Sequence, residues 1–167
     1  MRASELLARQ IADSRAWTMN LVADMAGADW ALQPAPGLAH PLWICGHLAC
    51  AQDLLVHVRV LCTSGVLDES FTRHFPIGAR IKSCRGHDYP PVETVLDAMK
   101  DVHARTLEAV NGMSDELLAE PCFGGDGKPH PYYRDKAGAV AHCSRHEAFH
   151  AGQIATIRRI LGKPFLR

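Results

Sequence analysis

The residues best placed to do chemistry are His142, His146 and His150, spaced four apart near the C-terminal end of the chain. On a helix each four-residue step turns the side chain by only about 40° net, so the three imidazoles share one face. Two imidazoles one turn apart can hold a metal ion, and a facing helix must supply the remaining ligands. Ala139, Cys143, Phe149, Ile154 and Ile157 flank the histidines, which turns this face inward. A buried imidazole needs a partner, and a metal supplies one. The alternative is a polar helix face with solvated histidines.

His47 is the best third ligand. It lies in the apolar segment Pro41-Leu-Trp-Ile-Cys-Gly-His47-Leu-Ala-Cys-Ala, among Trp43, Ile44, Leu48 and Ala51. Without a histidine pair elsewhere it would read as a core residue. His103, at the margin of another apolar stripe, is the reserve. His57 turns away from His47, and His40, His74, His87 and His130 fall in loops, where solvated histidines are expected. Cys50, one turn after His47, reads as a small buried residue, and Asp53 as a surface carboxylate. Three imidazoles leave coordination positions open, the catalytic arrangement. Such an ion lowers the pKa of bound water to about 7 or stabilises a thiolate.

His146-Glu147-Ala-Phe-His150 also spells His-Glu-x-x-His, the pattern of zinc peptidases. Those enzymes draw another ligand from downstream. The seventeen residues after His150 contain no His, Asp, Glu or Cys, so a peptidase is disfavoured. Glu147 points about 100° away from His146 and reaches the site at most partly.

These residues must be positioned by long helices. The apolar spacing predicts one from about Ser4, as N-cap, to Ala28, with Leu7, Ile11, Thr18, Leu21 and Met25 on its buried face. After Gln33-Pro-Ala-Pro-Gly37 a second runs from Pro41 to about Cys62. A long connection, 63–90, precedes a third from Pro91 to Asn111-Gly112, striped by Val92, Val95, Met99, Val102, Thr106 and Val110. Ser114-Asp-Glu starts a short helix. The fourth long helix runs from about Tyr133 to Leu161, stopped by Gly162 and Pro164. Arg158, Arg159, Lys163 and Arg167 near its end suit the helix dipole. The expectation is an all-α four-helix bundle with long connecting loops, residues 1–167 forming a single domain.

Composition narrows the function. In 167 residues, 18 Lys+Arg balance 18 Asp+Glu, against the basic excess of nucleic-acid binders. The apolar stretch Leu42–Cys62 contains His47, Gln52, Asp53, His57 and Arg59, so it reads as a buried helix and not a membrane span. No Cys-x-x-Cys occurs among the six cysteines, and the N-terminus does not read as a signal peptide. A cytoplasmic protein with reduced thiols is expected.

The segment His146-Glu-Ala-Phe-His150-Ala-Gly-Gln-Ile-Ala-Thr-Ile-Arg-Arg-Ile-Leu-Gly162 resembles the last helix of the DinB/YfiT-like superfamily. Trp43-Ile-Cys-Gly-His47-Leu-Ala is similar to the family's second-helix segment, and Gln33–Gly37 to its Pro/Gly turn. The resemblance implies a bundle that holds a divalent cation, often zinc or nickel, through His47, His146 and His150. It further implies a metal-dependent enzyme: a thiol-dependent S-transferase using a low-molecular-weight thiol, or related hydrolase or isomerase chemistry on a small molecule. Ala151 stands where many relatives carry Arg, so that residue's anion contact does not carry over. The alternative is a non-catalytic stress-related or binding bundle, metal-stabilised or metal-free. A homodimer is expected in either case.

Overall fold

The apolar stripes become helices, and their polar interruptions become contacts between them. The computed structural model describes residues 1–166. Its helices are α1 (Ala3–Val22), α2 (Pro41–Asp53), α3 (Glu69–Thr72), α4 (Val92–Asn111), α5 (Asp115–Ala119) and α6 (Lys136–Ile160). No strand forms among the described residues, only the isolated bridges Pro121–Asp135 and Phe123–Pro129. The fold is all-α, built on four long helices. α1 packs on α6 and α4, and α2 packs on α4 and α6, closing a four-membered ring.

The stripe on α4 is buried as the spacing requires: Val95, Met99, Val102, Thr106 and Val110 all face inward. Helix α1 is shorter than expected. It ends at Val22, and Gly27–Ala31 forms a separate 3-10 turn. Ser4 is not the cap. It lies inside the helix and is fully buried, while Arg2 is the N-cap residue. Asp135 caps α6 by accepting from the Gly138 N–H, so that helix starts later than Tyr133. Ser114 caps α5 in the same way through Leu117. At the other end of α6, Gly162 takes φ +71°, the left-handed geometry that stops the helix.

The second helix does not run regularly to Cys62. Leu54–Val60 is π-helical, its backbone bonds reaching one residue further back than those of the α-helix before it. Asp53, expected at the surface, is buried at the junction. Its carboxylate accepts the N–H groups of Val66 (2.8 Å) and Leu67 (3.0 Å), which pins the long connection to the helix. A Cβ on Gly65 would come within 2.9 Å of that carboxylate, so the close approach needs glycine.

Two apolar clusters fill the bundle. One includes Leu21, Trp43, Leu48, Val95, Met99 and Ile154; the other includes Ile11, Leu55, Val56, Val110, Val140 and Cys143. A polar layer made by the buried Arg15, Gln52 and Glu147 and the half-buried His103 joins all four long helices. Arg15 donates to Glu147 (2.9 and 3.1 Å), to Gln52 Oε1 (2.9 Å) and to the Met99 carbonyl (2.9 Å). Gln52 Nε2 lies 3.5 Å from His103 Nδ1. Arg158, expected only to complement the helix dipole, is also buried. It pairs with Asp24 and donates to the Leu21 carbonyl (2.7 Å). Arg167 lies outside the described residues.

Candidate metal centre

His47 comes from α2, and His146 and His150 come from successive turns of α6. Direct packing of these two helices brings the rings together. His146 Nε2 lies 3.2 Å from His47 Nε2 and 3.1 Å from His150 Nε2, and the three ligand atoms lie within 4.8 Å of one another. Ligands at about 2.0–2.1 Å from one tetrahedral ion would stand about 3.3 Å apart, so the spacing fits a shared cation.

Each ring is held from behind. His150 donates its Nδ1–H to Gln153 Oε1 at 2.8 Å, which turns the Nε2 lone pair toward the cluster. His47 stacks on Trp43, with centroids 4.5 Å apart and planes 11° apart. Its Nδ1 is buried without a hydrogen-bond partner, so on that side the ring is held by stacking. His146 stacks on His142 at 5.5 Å. Burial, reinforced by the neighbouring imidazoles, lowers the pKa of His47 to about 3 and that of His146 to about 4. Burial lowers His150 as well, opposed by its bond to Gln153. All three rings are therefore neutral at pH 7, the protonation state a metal ligand needs.

The cluster lies against a pocket of about 260 Å³, whose lining includes His47, His146, His142, Arg59 and Tyr133. His142 thus faces the pocket and stays outside the three-ring group. The reserve ligand His103 belongs to the polar layer instead, with its pKa lowered to about 4 by burial and by Arg15. His57 packs toward α4, its Nε2 3.3 Å from Thr106 Oγ1. Cys50 is buried, and desolvation pushes its thiol up to about 12, which makes it inert.

The loop histidines differ from expectation. His40 is fully buried, and its Nδ1 accepts the Trp43 N–H at 3.1 Å as the cap of α2. His74 and His87 pair at 3.1 Å, and His130 lies 2.6 Å from Arg59. These roles depend on tertiary contacts that single-residue reading cannot supply. Sequence reasoning also missed Gln153, although its i+3 spacing from His150 was a usable signal.

A family model described as the DinB superfamily matches residues 10–154. The chain belongs to the DinB superfamily. The matched span includes all three clustered histidines. A crystal structure of a conserved protein from Enterococcus faecalis superposes with a TM-score of 0.66 at 16% identity, covering 98% of this chain and 99% of that one. At that identity the likeness shows a shared fold. A search of curated proteins finds no match. No helix among the described residues of this DinB-superfamily chain is long and apolar enough to cross a membrane.

Proposed function

We propose that His47, His146 and His150 hold one divalent cation, zinc or nickel, and that the protein is a metal-dependent enzyme acting on a small molecule. The observation that carries this reading is the convergence of three neutral imidazole nitrogens, from two helices, beside an open pocket. Three protein ligands leave room for substrate, as catalytic sites require. When bound, such an ion supplies Lewis acidity toward a water or a thiol.

The chain's own residues set the rest. Gln153 fixes the tautomer of His150, and Trp43 fixes the plane of His47. Glu147, the general base of a His-Glu-x-x-His peptidase, is 4% exposed and clamped by Arg15, which supports a reaction without it. Thiol-dependent S-transfer is the reaction class favoured here. A carbon–sulfur bond forms at an electrophilic carbon, the leaving group departs with its electron pair, and the thiol releases a proton.

The second reading is a non-catalytic bundle. It draws on the Arg15 layer and the two apolar clusters, which tie the helices together without an ion. His150→Ala separates the two, read by circular dichroism beside a transfer assay with several cellular thiols and a panel of electrophiles. A helical but inactive variant supports the enzyme. Absence of any activity in the metal-loaded wild type supports the scaffold.

A further inference from the structure

Among the described residues that line it, the pocket beside the three histidines carries a cation, the guanidinium of Arg59, and no Asp or Glu carboxylate. Arg59 stands on the π-helical segment Leu54–Val60 and is half-buried. No carboxylate among the described residues pairs with it. Among the described residues the guanidinium has one hydrogen-bond contact, His130 Nε2, 2.6 Å from Nη1.

That contact is a poor resting place for a cation. Guanidinium only donates, so His130 Nε2 must accept. The other ring nitrogen, Nδ1, is engaged as acceptor by the Tyr132 N–H at 3.2 Å. A neutral imidazole has one acceptor nitrogen, so both bonds cannot be made at once. The charge of Arg59 is thus left under-compensated in a recess bounded by Tyr133, which stacks on His130 at 4.3 Å. A planar carboxylate matches the guanidinium fork with two parallel hydrogen bonds. A cation held by the neutral histidines would make the same recess still more positive.

We propose that Arg59 is the anion-recognition residue of this pocket, and that the substrate is a small molecule bearing a carboxylate. This rests on the proposed function for the identity of the site, but the anion contact itself does not require the ion. The pocket volume of about 260 Å³ lies just below the usual range for drug-sized ligands, about 300–1,000 Å³, which fits a small organic acid.

The test is calorimetric titration of benzoate, succinate and inorganic phosphate into zinc-loaded and metal-free protein. Benzamide and succinamide serve as neutral isosteres, and zinc stoichiometry is measured on the same samples. We expect a carboxylate to bind and its amide not to bind. Arg59→Gln should weaken carboxylate binding tenfold or more, Arg59→Lys should retain part of it, and Arg85→Gln, an exposed cation outside the pocket, should change nothing. Equal binding of acid and amide, undiminished binding by Arg59→Gln, or no binding of either carboxylate overturns the proposal. Phosphate binding tighter than both carboxylates overturns the ligand class. Failure of the metal reading shows separately, as absent zinc in wild type, while the Arg59 contrast is still read on metal-free protein.

Discussion

Arg15 and Glu147, 132 positions apart in the chain, form a two-pronged ion pair in the bundle centre, with each side chain only 5% exposed. Glu147 sits between His146 and His150 in sequence, yet its carboxylate is committed to α1. Removing one partner strands a buried charge. Glu147→Ala should therefore cost about 3–5 kcal/mol in urea unfolding, and pairing it with Arg15→Met should cost less than the sum of the two. Additive losses would show that the two side chains are not coupled.

Gln153 gives a finer test of the centre. Gln153→Leu removes the acceptor for His150 Nδ1 and leaves the three ligands in place. Loss of such an outer partner typically costs 10–100-fold in metal affinity. Competition with a chromogenic chelator should show a loss of about that size with unchanged stoichiometry. An unaltered affinity would mean that Gln153 does not orient the ring.

Gly46 precedes His47 and faces Phe75, itself 1% exposed. A Cβ at Gly46 would stand 2.2 Å from that ring, a contact that cannot persist. Gly46→Ala should destabilise the fold by about 1–3 kcal/mol through overpacking. It should also weaken metal binding, since relief requires α2 or Phe75 to move. A thermal unfolding midpoint equal to that of wild type would contradict this.

The polar layer sets a pH dependence. Burial, and then Arg15, lower the pKa of His103 to about 4, against about 6.5 in an unfolded chain. Between these values the unfolded chain binds more protons, so stability is present above about pH 6.5 and is lost as pH falls toward 4. In metal-free protein His47 and His146 act with the same sign. Thermal melts from pH 7.5 downward should show a falling midpoint, with a shallower fall in His103→Gln. Identical slopes in both proteins would contradict the assignment.

Much of this arrangement was legible in the sequence because it follows helical periodicity. The stripe on α4 and the shared face of His146 and His150 need only the 3.6-residue repeat. What escaped depends on contacts across the bundle. From the sequence Asp53 reads as solvated because its partners, the N–H groups of Val66 and Leu67, lie in an irregular connection. His40 reads as a solvated loop residue, and its capping bond to Trp43 belongs to a fold that spacing alone does not reveal. The π-helical turn that carries Arg59 has no periodic signature. Arg15 left a trace: it stands four residues after Ile11 and three before Thr18, a cation inside the buried stripe.

A cation held by three imidazoles is read out by metal stoichiometry. Tag-free protein, stripped with chelator and dialysed against zinc or nickel, should retain one equivalent per chain. His47→Ala, His146→Ala and His150→Ala should each lose it while keeping the helical circular dichroism of wild type. A wild type that retains no metal, or alanine variants that retain a full equivalent, would exclude an ion held by these three histidines.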